Sequence, residues 1–250
     1  MIRINTDIRR VMMERYLRLQ ASVFGDFKDI DLSQGSMSKL YQIYLKENMM
    51  PTIMKEFDIA AQDVKNRPSF VANDNSVSIS IGSNRIDISS DISDGDEPLD
   101  KGRFIGFAIK YLQEFFEIFK VGVVRMSYIE EEIIEILNDS TNCEIRNRYI
   151  NVNRAYNDGK IIEWSSKSVF RDDWQINNKM ESVNVNVTTG VRKINALRNE
   201  QPVVLDALVL AQDINTLAEN TSPRLDMIDI EKFIKIATQK SEEIRLRTEG

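Results

Sequence analysis

Apolar residues spaced by two mark the strands. Val77, Ile79 and Ile81 alternate with serines, Ile86 and Ile88 alternate with Asp87 and Ser89, and Gly82-Ser83-Asn84 lies between the two runs. This predicts a β-hairpin whose polar side meets water. Val183, Val185 and Val187 alternate strictly in SVNVNVTTGVRK, and PVVLDALVLAQDI is the most apolar strand, which predicts a central place in a sheet. CEIRNRYINVNRAY and KIIEWSSKSVF flank Asn157-Asp158-Gly159, and Asp-Gly suits a tight hairpin turn. VGVVRMSY reads as one more strand, followed by a short helix over EEEIIEILN. The first 30 residues fit both periods, and the spacing of Val11, Met13, Leu17 and Leu19 tips them toward a long strand. TIMKEFDIAAQDV alternates loosely and reads as a strand region closed by Pro68.

Spacing by three and four marks the helices. Phe104, Phe107, Ala108, Tyr111, Leu112, Phe115 and Phe119 form one apolar stripe, so an amphipathic helix with an aromatic face is expected there. Leu40, Ile43 and Tyr44 mark a shorter helix capped by Ser36 or Ser38. Ile230, Phe233, Ile234 and Ala237 share one side of a C-terminal helix that starts near Pro223 or Asp226. The fold class that follows is α+β: an antiparallel sheet, or two related sheets, with helices packed on one face. The 250 residues suit a single domain, or two subdomains spanning 1–138 and 139–250.

Composition then removes chemistry. There is no histidine, so no Ser-His-Asp triad, Cys-His pair or histidine-bearing zinc site can form within the chain. Cys143 is the one cysteine, which excludes an internal disulfide. Charges run through Met1 to Gln20 with no apolar signal region, so a cytoplasmic location is expected. No stretch of 18 apolar residues predicts a membrane span. The net charge of −6 opposes general nucleic-acid binding while leaving room for a local basic patch. No glycine-rich phosphate loop occurs.

Two groups of residues remain as candidate sites. Asp206 interrupts the most apolar strand and Asp213 ends it; with Asp172, Asp173 and Glu163 they could bind a divalent metal such as Mg²⁺. The other reading pairs Asp206 with Arg146, Arg148 or Arg192, or points it to solvent. Arg146, Arg148, Tyr149, Arg154, Tyr156, Trp164 and Trp174 mix basic and aromatic groups on adjacent expected strands. Such a face suits a protein interface, a stacked nucleic acid, or a half-buried wall with solvated arginines. The acids between Asp87 and Asp100 read as a solvated loop or as hard oxygen ligands, although EF-hand spacing is absent. The aromatic stripe reads as core or as the wall of an apolar ligand pocket, with Phe116 at its edge toward a partner.

Three stretches carry a resemblance. They are SVSISIGSNRIDIS, followed by FIGFAIKYLQEFFEIF and VGVVRMSY with Arg125; VVLDALVLAQDIN with Asp206 and Asp213; and LDMIDIEKFIKIATQKSEEI with Phe233. Over roughly residues 76–246 the chain resembles a sporadically distributed family of uncharacterised prokaryotic proteins. That resemblance implies an α+β fold, no established activity, and an accessory place in phage-defence or mobile-element regions. The function expected is a non-enzymatic subunit that binds a protein partner or itself and needs no cofactor. The alternatives are a divalent-metal-dependent hydrolase or nuclease using Mg²⁺, and a small-molecule-binding module.

Overall fold

The computed structural model describes residues 2–4, 15–58, 62–91, 100–138, 164–198 and 201–249. Ten strands form one hydrogen-bonded sheet: β1 (Ile2–Ile4), β2 (Arg15–Gly25), β3 (Met49–Asp58), β4 (Asp63–Ala72), β5 (Ser78–Ile81), β6 (Arg85–Asp91), β7 (Val123–Ile136), β8 (Ser165–Ile176), β9 (Lys179–Arg198) and β10 (Gln201–Thr216). Among the described residues three α-helices accompany them: α1 (Gln34–Tyr44), α2 (Lys101–Phe119) and α3 (Met227–Glu249). The strand order is β1-β9-β10-β7-β2-β6-β5-β4-β3, and β8 also pairs with β9. Every pairing is antiparallel except β1 with β9. The fold is therefore α+β on a mostly antiparallel sheet, continuous from end to end. Among the described residues no helix is long and apolar enough to cross a membrane.

Alternation decides which face each strand buries. Leu19, Ala21 and Val23 of β2, Ile86 and Ile88 of β6, Met126 and Tyr128 of β7, and Val183 and Val185 of β9 point into one apolar cluster, here termed the core face. Phe104, Ala108, Tyr111, Leu112 and Phe115 of α2 and Ile230, Phe233, Ile234 and Ala237 of α3 fill the same cluster. Tyr44 of α1 stacks on Phe70 of β4, and Phe115 meets Phe27 edge to face. The starts of α2 and α3 are capped by carboxylates. Asp100 Oδ1 accepts the Arg103 N–H at 3.0 Å, and Lys120 ends α2 in the left-handed region. Asp226 and Asp229 cap α3 reciprocally, each carboxylate accepting the other's backbone N–H.

Three local expectations are corrected. EEEIIEILN is not a helix but the second half of the 14-residue β7. Hydrogen-bonded neighbours on both sides, β2 and β10, override helix-favouring glutamates there. Pro68 does not close a strand; it lies within β4 opposite Ile53, just past the last residue paired to β5, where a missing N–H is tolerated. The N-cap of α1 is Ser33, not Ser36 or Ser38, and its side chain makes no capping bond. The Asn157-Asp158-Gly159 turn and Cys143 lie outside the described residues.

Arg67 ties the far end of the sheet together. Its guanidinium donates to the carbonyls of Phe27 (2.7 Å), Lys28 (3.0 Å), Gly82 (3.1 Å) and Ile81 (3.3 Å), and Glu56 lies 3.7 Å away. One side chain thus joins the segment after β2 to the β5–β6 turn.

Candidate functional site

The four described acids of the proposed metal site, Asp172, Asp173, Asp206 and Asp213, do not come together. β10 pairs with β9 without a bulge from Gln201 to Thr216, so Asp206 and Asp213, an odd number apart, project to opposite faces. Adjacent Asp172 and Asp173 of β8 likewise face opposite ways. Asp172 lies beside Val183, and Asp206 beside Lys193, ten residues further along β9. At the rise of a strand that is about 33 Å. Asp206 faces Lys193 at 3.9 Å, and Asp172 accepts the Trp174 Nε1–H at 3.3 Å. Asp213 accepts from Ser127 (3.1 Å) and Asn215 (3.0 Å), and Asp173 accepts from Ser182 (2.5 Å). Among the described residues no three acids or cysteines meet in a metal-holding group. Glu163 lies outside the described residues.

Of the basic-aromatic set, Arg146, Arg148, Tyr149, Arg154 and Tyr156 also lie outside the described residues. The two tryptophans are both buried, in separate places. Trp174 packs on Phe233 of α3, while Trp164 belongs to a small cluster with Leu137, Val191 and Leu208.

What the sheet does assemble is a polar row on the face opposite the core face. Cross-strand register places Asp87, Ser22, Ser127, Asn215, Asn184 and Arg171 side by side across six strands, from β6 to β8. The row continues through Ser80 of β5 and Ser69 of β4. Bonds link its members to each other and to the next row. Ser22 donates to Asp87 at 2.6 Å, Gln20 donates to Ser22 at 2.8 Å and to Asp87 at 3.1 Å, and Arg171 donates to Asn184 at 3.0 Å. At one end of this face, Phe24 lies between two guanidinium groups. Arg125 is 4.4 Å from the ring centroid and Arg85 5.9 Å.

A second assembly lies on the core face, where sequence reading expected a helix. Strand alternation in β7 turns Glu130 and Glu132 inward beside Tyr128, and both glutamates are buried. Glu130 accepts from Lys101 Nζ and from the Tyr128 hydroxyl, each at 2.8 Å. Glu132 faces Arg245 at 3.9 Å, and its Oε1 has no hydrogen-bond partner. Burial, then the neighbouring Glu130, pushes the Glu132 carboxyl up to about 8, so it holds a proton at neutral pH. Tyr16, the cross-strand neighbour of Glu132, lines a cleft of about 530 Å³ with Lys101, Thr238 and Glu242. The sequence signal for this cluster was the alternation Tyr128, Glu130, Glu132, which only a strand period reveals.

The third feature is a free edge. β3 ends the sheet, and its outer side pairs with no described strand. Beyond the reach of the core, Ile53 and Phe57 of β3 and Val64 of β4 share one face of the hairpin and are 61%, 61% and 51% exposed. A scan against protein-family models finds no match for the chain, and a search of curated proteins finds none either.

Proposed function

We propose that the chain is a non-enzymatic cytoplasmic subunit that associates with a second copy of itself through the β3 edge. The observation that carries this reading is the ten-residue edge strand with exposed Ile53 and Phe57. An open edge offers a row of unpaired N–H and C=O groups, and proteins usually blunt it with charge, proline or a covering element. Here Pro51 and Lys55 interrupt it, yet the apolar side chains stay in water. Two copies related by a two-fold axis can pair such an edge with itself, because one surface supplies both halves. In this reading the helices keep to the core face and leave the edge clear. The accessory role in phage-defence or mobile-element regions that the resemblance implies belongs to the same proposal, with self-association as the step a larger assembly would use.

Light scattering on the pure protein tests it. The expected mass is twice that of the chain, or a multiple of it, at tens of micromolar. Changing Ile53→Asp together with Phe57→Asp returns the mass to one chain while the circular dichroism spectrum is retained. A strict monomer at 100 µM, or a mass unmoved by the double change, would overturn the reading. The metal-dependent alternative finds no support in the placement of Asp206 and Asp213 on opposite faces.

A further inference from the structure

Among the described residues Arg125 has no ion-pair partner. Among the described residues Arg18, Arg67, Arg85, Arg192 and Arg224 each have a carboxylate within 4 Å. No described carboxylate pairs with Arg125, and its Nε is buried without a hydrogen-bond partner. A guanidinium that spends none of its hydrogen bonds on the described fold keeps its terminal N–H groups for an acceptor from outside.

Its position is built, not incidental. Cross-strand register sets Phe24 of β2 between Arg85 of β6 and Arg125 of β7. The Arg125 guanidinium carbon lies 4.4 Å from the centre of the Phe24 ring, a cation–π contact that holds the charge in place. The neighbouring charges are committed elsewhere. Arg85 Nε lies 2.7 Å from Asp87 Oδ2, and Asp87 Oδ1 also accepts from Ser22 and Gln20. Asp87 is therefore compensated by Arg85, and Arg125 is left as uncompensated positive charge at this end of the polar face.

We propose that Arg125, held on Phe24, anchors a binding site for an oxyanion, a carboxylate or phosphate group, at the end of the polar face formed by β2, β6 and β7. A carboxylate or phosphate presents two oxygens at the spacing of the guanidinium fork, so one planar arginine can take it in two parallel hydrogen bonds. Arg85, on the other side of the ring, stays paired with Asp87 and leaves Arg125 as the charge that draws the anion. The site is separate from the β3 edge, so its outcome does not depend on self-association.

The test is isothermal titration of the full chain with inorganic phosphate and, separately, with succinate, at low ionic strength against a chloride control. Saturable binding of either anion is expected, and the one that binds identifies the source of the oxyanion. Arg125→Gln should weaken it by about tenfold or more, and Arg125→Lys by less, because the fork is lost while the charge stays. Phe24→Leu keeps Arg125 but removes its support, and should weaken binding several-fold in a variant whose core face is untouched. Arg192→Gln, which removes an arginine paired to Glu131 at 2.9 Å, should leave affinity unchanged. Failure of both anions to saturate by about 20 mM, which is weaker than any single charge-assisted site worth the name, overturns the proposal. Equal affinity in Arg125→Gln overturns it as well, with folding of that variant checked by its thermal melt.

Discussion

Arg67 and Arg125 are arginines of the same sheet, each held partly or wholly out of water, and they solve that problem in opposite ways. Arg67 is almost fully buried and donates to four backbone carbonyls, with Glu56 as counter-charge. Burial still draws its guanidinium below the ordinary arginine value. Arg125 is half-buried, rests on an aromatic ring, and has neither carbonyl nor carboxylate bonded to it among the described residues. An arginine bonded in this way is a structural tie, because each of its three nitrogens donates to a backbone carbonyl and joins segments that would otherwise separate. An unsaturated one contributes little to the fold and keeps its donors for something outside it. Hydrogen-bond saturation therefore separates structural from recognition charges more sharply than burial does.

The largest effect expected from this contrast is at Arg67. Arg67→Met fills similar volume but leaves the carbonyls of Phe27, Lys28, Ile81 and Gly82 without their donor and Glu56 without its counter-charge. Breaking a buried charge with such partners costs roughly 3–5 kcal/mol. Chemical denaturation should show that loss in the midpoint with the slope unchanged. A loss below about 1 kcal/mol would break the comparison, since Arg67 would then be no more structural than an exposed arginine.

Glu132 tests the same rule with the sign reversed. It is a buried acid with one unbonded oxygen, and its carboxyl is pushed up to about 8 from an unfolded value of 4.5, burial being the main cause. The folded chain therefore binds a proton that the unfolded chain releases between those two values. Stability contributed by this group is highest below pH 4.5, falls as pH rises toward 8, and levels off above 8. By pH 7 the cost is about 3 kcal/mol, from 1.36 kcal/mol per pH unit. Glu132→Gln keeps the shape without the titration. It should stabilise the protein by about that amount at pH 7 and leave stability near pH 4.5 almost unchanged. Parallel pH profiles of melting temperature for the two proteins would show that Glu132 is ionised in the fold and that Arg245 saturates it.

Much of this fold is written in alternation, and the exceptions share a cause. The β5–β6 hairpin and the aromatic helix α2 were legible because one face of each is apolar and the other polar, and the interior place of β10 because its sequence is almost continuously apolar, with Ala207 to Leu210 buried on both faces. The second half of β7 was not. Glu130, Glu132 and Glu135 give a strong local helix preference, and only Lys101 from α2 and Arg245 from α3, distant in sequence, make a buried strand possible there. Candidate chemistry fared similarly. Asp206 and Asp213 looked like a pair because they share one strand, but their odd spacing separates them, and only an uninterrupted register against β9 shows that it does. Arg125 carried no local signal, since Phe24 and Arg85 reach it through pairing across β2 and β6. Register, which sets what lies beside what, is the information a single strand does not contain.

The smallest effect expected is the one that isolates Arg125. Arg125→Gln removes a cation–π contact worth about 0.5–1 kcal/mol and also removes the cost of a buried, unbonded Nε. The two nearly cancel, so the melting curve should shift by no more than a degree or two in either direction. The same substitution should abolish most of the oxyanion affinity. That split, full stability with lost binding, is the opposite of the expectation for Arg67, where stability falls and anion affinity of the folded fraction stays. Should Arg125→Gln instead destabilise as severely as Arg67→Met, the guanidinium would be a tie like Arg67, and the distinction by hydrogen-bond saturation would fail at the residue that most depends on it.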